Sequence, residues 1–454
     1  MKRFTKYGLL IILLPILSCK KATNGLNVSP NSPTSAPLDL VLNGAQVASI
    51  VSYEGNAARM AGIFAQSFAG SANQYASLNN YVTTTADYSE TWNNLYTIVI
   101  TQTQIIQSQA LAVNNKTVLG IAQVMQAQAF GLAADLWGDV PFSQVGDPIS
   151  FPQPKFDSQT QVYAGVQNLL STAITNLQAN VGTSPGVKDI FYGGNTGQWI
   201  AAANTLKARF YLHVKDYTNA ITYANQGIND ATGQSDMMAK HGGTYLVDMN
   251  LYNSFLDNDR SGDLTAASPA FAPSFLAGRN NSKTNETARL GYIYMNAPGA
   301  SANLNDVGLF GPSTPFPLIT YSENQLILAE AYLKQSAPNF NSALTALNNH
   351  RAYLNTIYPG SYQAYVASDF SSNNSLLLKE IQGERYVTFI GQIEQFNDVR
   401  RNQNALGITP TVTTTTLLPQ RFLYPQDEQN TNPNTPLVGA GDFFKPTTAN
   451  ASTY

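Results

Sequence analysis

Apolar and polar positions follow two regimes along this chain. From Leu38 to about residue 134, apolar residues recur every three or four positions between short polar breaks. That period predicts helices near 38–53, 55–70, 87–111 and 117–135. It returns at 159–180, 199–229, 320–355 and 376–402. It fails in residues 134–154, with four prolines, in the Gly- and Asn-rich stretch 182–197, and over the long span 231–317. A span of that length without regular pattern is a candidate for function. The proline-rich tail 417–436 is largely without helical pattern as well.

Two of the helical stretches share a finer pattern. Pro315 and Pro317 exclude an earlier helix start, and Thr320-x-x-Glu323 has the form of a capping box. Tyr321, Leu328, Ala331 and Tyr332 then share one face, Pro338 breaks the helix, and Ala343, Leu347 and Leu354 line the next one. Ala331 and Ala343 are twelve residues apart, as are Ala208 and Ala220 across the Lys215-Asp216 turn, with Gly227 at the next small position. Small residues at that spacing let two antiparallel helices approach closely, as in tetratricopeptide hairpins, which bury their inner faces only by stacking on a neighbour. The expected fold is mainly α, with tetratricopeptide-like hairpins near 199–229 and 320–355 and a loop-rich insertion near 231–317.

The N-terminus stands outside this pattern. Lys2, Arg3 and Lys6 precede an apolar run at 7–17, too short to cross a bilayer as a stop-transfer helix. Cys19, the only cysteine, follows directly in a stretch resembling a bacterial lipobox. Residues 1–18 thus read as a signal peptide, Cys19 as the lipidation site and 19–37 as a proline-punctuated tether, anchoring the chain to a membrane without spanning it. With no second cysteine there is no disulfide, and the core must suffice. Charged residues make up only 12% of the chain and the net charge is −3, which gives no electrostatic case for nucleic acid. Abundant amides and 24 tyrosines suit neutral polar ligands such as sugars.

Candidate chemistry is sparse. A glycoside hydrolase needs two carboxylates across a cleft. Asp135, Asp139, Asp257 and Asp259 are available, but no spacing singles out a pair. His213, His241 and His350 lack a nucleophile motif. Asp257-x-Asp259-x-Ser261-Gly262 begins like an EF-hand loop, yet its twelfth position is Ser268 where a bidentate Glu is required. Trp92 and Tyr96 share a helical face and read as core. A protein-interaction scaffold and an exported glycoside hydrolase remain as alternatives.

Five segments together resemble the SusD/RagB family of outer-membrane lipoproteins, in its SusD-like branch. They are the lipobox followed by residues 25–37, ADLWGDVPFS at 134–143, Tyr321-x-Glu323 with Ala329-Glu330-Ala331, IQGERYVTFIGQIEQFNDVRR at 381–401, and Gln420-Arg421-Phe422-x-Tyr424-Pro425-x-x-Glu428 with Asn432. The resemblance implies a non-catalytic, cofactor-free protein with one domain over 38–454. It would capture glycan or another nutrient and act as the lid of a SusC-like TonB-dependent barrel. Members of the family bind ligand on aromatic-bearing loops. By chain position this points to the loop 69–88 and the insert 245–294, with Asn73, Tyr75, Tyr81, Tyr252 and Tyr292 as the expected ligand contacts.

Overall fold

A computed structural model describes residues 36–296, 301–437 and 439–451. The expected signal peptide, Cys19 and almost all of the tether lie outside these residues.

The chain enters through α1 (Leu38–Glu54) and restarts at once as α2 (Asn56–Phe64). Gly55 separates them because a Cβ there would overlap the Val51 carbonyl oxygen. The helix expected over 55–70 stops at Phe64, since Gln66 takes φ +59° and Ala69–Gly70 leaves as a strand paired with Leu264–Thr265. The helix expected over 87–111 divides into Ser89–Asn93, a π-turn at Asn94–Ile100 and α3 (Thr101–Ala112). α4 (Lys116–Trp137) is long and apolar enough to cross a membrane, but protein covers it throughout, making it the core helix. A side chain at Gly131 would overlap the Phe210 ring, so this glycine sets how closely α4 meets α6 (Thr196–His213). Between them in sequence, α5 (Gln159–Ala179) begins with a Ser158–Gln161 capping box and packs on both.

α6 and α7 (Tyr217–Ala224) form the first hairpin, and α8 (Tyr321–Lys334) and α9 (Phe340–Ile357) the second. Ala208, Ala220, Ala331 and Ala343 are all 0% exposed and belong to one apolar cluster with Leu212, Leu347, Leu377 and Ile381. The two hairpins therefore stack through the small faces that the twelve-residue spacing marks. At Gly227 a Cβ would overlap the Asn324 and Thr205 side chains, which is why the position stays small. α10 (Asn374–Thr388) and α11 (Ile393–Arg401) close the stack.

The expected capping box on α8 forms only by half. Thr320 Oγ1 accepts from the Glu323 N–H at 3.1 Å, but the Glu323 carboxylate turns away to Arg209, with Nη2–Oε2 at 2.6 Å. A buried guanidinium outcompetes a backbone amide because a charge-assisted, two-pronged contact is the stronger one.

The insertion is not structureless. It carries short helices at Leu251–Asn253, Phe271–Ala277 and Thr287–Ile293, and its two ends pair as antiparallel strands, Met237–Ala239 with Phe316–Ile319. Enlarging the hairpin interface at Ala331→Leu is expected to lower the unfolding free energy by about 1–3 kcal/mol through overpacking. Urea titration reads this as a lower midpoint, and an unchanged midpoint would show that the hairpins are not stacked at Ala331.

Candidate functional site

The two loops expected to carry ligand do meet. Ser71 N–H donates to the Asp263 carbonyl at 2.9 Å, Ser71 Oγ to the Gly262 carbonyl at 2.6 Å, and Asn73 Nδ2 to Asp263 Oδ1 at 2.7 Å. Their junction encloses a cavity of about 250 Å³ lined by Ser71, Ser261, Gly262 and Leu264, with no aromatic face.

The expected tyrosines, however, mostly turn inward. Tyr75 is 1% exposed, lies edge-on to Phe255 and donates to Asn56 Oδ1 at 2.9 Å. Tyr252 is 0% exposed and donates to the Gly391 carbonyl at 2.8 Å. Tyr81 is buried and accepts from the Thr411 N–H at 3.2 Å. These three rings are covered by protein and have no face left to stack on a ligand. They tie the loops to Asn56 of α2, to Gly391 in the turn before α11 and to Thr411. Asn73 stays at the surface, held by Asp263, and Tyr292 is half-buried on the wall of a different cleft.

A larger cleft lies elsewhere, at about 500 Å³, between the π-turn, the proline-rich stretch 139–154 and the short helix Gln426–Thr431. This is an ordinary volume for a ligand site. The π-turn widens the helix so that Leu95, Val99 and Ile100 enter the core while Asn93, Tyr96 and Thr97 reach the cleft. Trp92 and Tyr96 form its floor, with ring centroids 4.5 Å apart. Trp92 is braced edge-on by Trp137 at 5.1 Å, and Tyr96 Oη donates to the Pro141 carbonyl at 2.9 Å.

Phe151 stands on the rim, 40% exposed, on a turn in which its N–H bonds the Asp147 carbonyl at 2.9 Å. Around these rings are the amides of Asn93, Gln104, Gln144 and Asn432, the hydroxyls of Thr97, Thr101 and Thr431, and one carboxylate, Glu428. Gln144 Oε1 is taken by the Lys155 N–H at 2.8 Å and Glu428 Oε1 by Asn432 at 2.9 Å, which directs the other end of each group to the cleft. Rings beside amides and hydroxyls, with little charge, match a neutral polyhydroxylated ligand. Period alone assigned Trp92 and Tyr96 to the core, and Trp92 is indeed only 4% exposed. The convergence of two proline-rich loops on this one helix was the signal that could have found the site.

A family model described as starch-binding and associating with the outer membrane matches residues 30–425. The chain belongs to the SusD-like family. Its fold is similar to that of a SusD/RagB family protein from Bacteroides thetaiotaomicron, with 20% identity and a TM-score of 0.67 over 92% of this chain and 99% of that one. A chitin-binding SusD homologue from Flavobacterium johnsoniae gives 0.67 at 14% identity over 91% and 98%. A SusD homologue from Bacteroides uniformis gives 0.68 at 14% over 91% and 99%. No curated protein matches the chain.

The charged residues of the SusD-like motifs at 134–143, 321–331 and 381–401 are structural. Glu330 takes Arg401 through both oxygens at 2.7 Å and also Lys334 at 3.0 Å. Asp398 holds Arg385 at 2.7 Å and Arg401 at 2.6 Å. Arg400 caps the Asp135 and Gln420 carbonyls at 3.0 and 2.8 Å. Asp139 caps α5 by accepting the Gln159 N–H at 2.8 Å, so the two motif aspartates serve packing.

Among the described residues, the one group of acids and histidine close enough to suggest a metal is Asp135, His213 and Glu394. The geometry speaks against an ion there. His213 Nδ1 faces Asp135 at 2.7 Å while Nε2, across the ring, faces Glu394 at 3.1 Å, so the two carboxylates approach opposite edges of the ring and each nitrogen already has its partner. Tyr163 also donates to Asp135. The arrangement is an imidazolium between two carboxylates. Burial lowers the His213 pKa, but Asp135 and Glu394 outweigh it and hold it at about 9. Burial likewise opposes charge on Glu394, which Arg209 and His213 hold down at about 2.

The sign follows for each group. The raised His213 pKa contributes stability that is complete below about pH 6.5 and lost as pH rises through about 9. The depressed Glu394 pKa contributes stability present above about pH 4.5 and lost as pH falls toward about 2. Urea titrations from pH 6 to 10 are expected to show a fall of the order of 3 kcal/mol from His213. His213→Gln, though less stable at neutral pH, is expected to lose that slope. An equal slope in both proteins would rule out a charged His213.

Proposed function

We propose that this SusD-like protein is a lipid-anchored carbohydrate-binding subunit of an outer-membrane import complex. The cleft floored by Trp92 and Tyr96 is its glycan site. The observation that carries the reading is that cleft's composition, in which aromatic rings stand beside amides and hydroxyls with a single carboxylate. Family membership supports it, through starch binding in association with the outer membrane. Two structural neighbours named as chitin-binding extend it to β-linked amino sugars.

The finer parts of the reading come from the chain and the family together. Cys19 would carry the lipid, and the partner would be a SusC-like TonB-dependent barrel over which this protein acts as a lid. Ligand is captured and released, and no bond is made or broken. A lid shifts between open and closed states only if ligand favours one of them, so the glycan must touch both partners or bind the closed state better. A scaffold reading is less favoured because the small faces of both hairpins are spent on each other.

Isothermal titration with malto-oligosaccharides and chito-oligosaccharides tests the site. Phe151→Ala combined with Gln144→Ala is expected to weaken binding about tenfold through loss of one stacking face and one amide contact. The circular dichroism spectrum should not change, since both side chains are at the rim. Undiminished affinity would exclude this cleft. Affinity purification of the tagged protein from its own outer membranes is expected to recover a TonB-dependent barrel in near-equimolar amount, and Cys19→Ser to release the protein from the membrane fraction. Recovery of the protein alone, from membranes with intact barrels, would overturn the lid role.

A further inference from the structure

The chain between Cys19 and the first helix has little that could bury itself. From Lys20 to Pro37 its side chains are polar, small or proline, and the two exceptions are Leu26 and Val28. Extended backbone turns residues two apart to the same side, so these two make one apolar edge with Asn27 opposite. Ser29-Pro30-Asn31-Ser32 follows, with the proline and asparagine of a β-turn that returns the chain toward where it came from.

The surface that this stretch reaches first is apolar. A pocket of about 310 Å³ lies beside the first turn of α1, between Leu38, Leu42, Val118 of α4 and Pro185. Asn115 and Ser184 on its walls are already engaged. Asn115 Oδ1 accepts the Val118 N–H at 3.0 Å and its amide donates to the Thr183 carbonyl at 2.8 Å, while Ser184 Oγ accepts the Gly186 N–H at 3.3 Å. Leu111 and Val113, just before Asn115, and Val181, whose carbonyl accepts the Thr117 N–H at 3.1 Å, are between 38% and 66% exposed. Apolar surface gathered in this way marks a contact site.

We propose that this pocket seats Leu26 and Val28, so that the tether docks on the body of its own chain. Position argues for this occupant. Leu38 is both the first residue of α1 and part of the pocket wall, and Val28 lies ten residues before it. Ten residues reach about 35 Å, enough to turn and come back. A short link also holds the segment at an effective concentration on the order of mM, so two aliphatic side chains compete well against any free partner. The volume is ample for them, since an apolar cavity of about 150 Å³ already accepts a benzene ring.

The docked tether is a short strap. With the lipid on Cys19, as proposed above, residues 19–26 alone would span from membrane to body, roughly 25 Å when extended, in place of roughly 60 Å for 19–37. The seat itself does not depend on the lipid.

The test is a distance, measured on the full protein purified in detergent from its own outer membranes. Asn27→Cys and Val187→Cys carry nitroxide labels beside the seat, Val187 being 91% exposed. A lipidated Cys19 takes no label, so the number of labels reports lipidation separately from docking. Pulsed electron resonance is expected to give one short, narrow distance. Leu26→Asp with Val28→Asp is expected to turn it into a long, broad distribution with an unchanged thermal melt.

A broad distribution with Leu26 and Val28 in place overturns the seat, as does a narrow one that the two aspartates leave unchanged. A distance that narrows only in lipid vesicles, or only at concentrations where two copies associate, gives the contact to the membrane or to a second copy and also overturns it. Three labels with a narrow distance keep the seat and overturn the lipid on Cys19.

Discussion

This chain has few charged side chains, yet 19 of them are buried among the described residues, and the fold depends on how that charge is paired. Arg209, Arg385, Arg400 and Arg401 are each 3% exposed or less, as are Glu323, Glu330 and Glu384. The pairs join elements far apart in sequence: Arg209 of the first hairpin to Glu323 of the second, Arg401 of α11 to Glu330 of α8, His213 to Asp135 of α4. Burying such ions costs several kcal/mol each, and mutual attraction only about offsets it. What the network does is penalise every other arrangement. A hairpin shifted by one residue would leave a buried guanidinium facing no carboxylate. The alanine faces let the helices approach, and the ion pairs decide where they stop.

This explains what was legible in the sequence. Helical period marked the long helices because each has a continuous buried stripe, and the spacing of Ala208 to Ala220 and Ala331 to Ala343 marked their pairing. Period could not see the π-turn at residues 94–100, where one extra residue per turn rotates Tyr96 toward the cleft. Nor could it foresee that Glu323 would leave its cap for Arg209, a partner more than a hundred residues away. The inward turn of the expected tyrosines has a related cause. The two loops pair, but an aromatic residue in a loop is equally suited to stack on a ligand or to pin the loop down, and Tyr75, Tyr81 and Tyr252 are buried against protein. Which way a ring faces is settled by contacts to Asn56 of α2, Gly391 and Thr411, and local sequence does not carry those.

The motifs and the cleft wall overlap only at Pro141, Glu428 and Asn432. ADLWGDVPFS, the 381–401 segment and the Arg421-to-Asn432 tail contribute Asp135, Trp137, Glu384, Arg385, Asp398 and Tyr424, all buried frame residues. The cleft wall between the motifs, with Gln144, Phe151 and the prolines at 148, 152 and 154, belongs to no ion pair and little core. Fold can be shared by chains of 14–20% identity because the frame is small and charged. The cleft wall is free to differ because it sits on loops the frame merely holds.

The strand pair at the base of the insertion carries a further consequence. Because Met237–Ala239 and Phe316–Ile319 lie side by side, the 76 residues between them leave and return at one point on the helical stack. For a segment closed in this way, doubling its length costs only about 0.6 kcal/mol of chain entropy. That latitude belongs to the stretches that stay outside the stack, because Tyr252 and Tyr294 of the same segment reach into the core and bond the Gly391 and Ser67 carbonyls. Natural variation can therefore lengthen or shorten the outward loops at little thermodynamic cost while these inserted side chains keep the region seated.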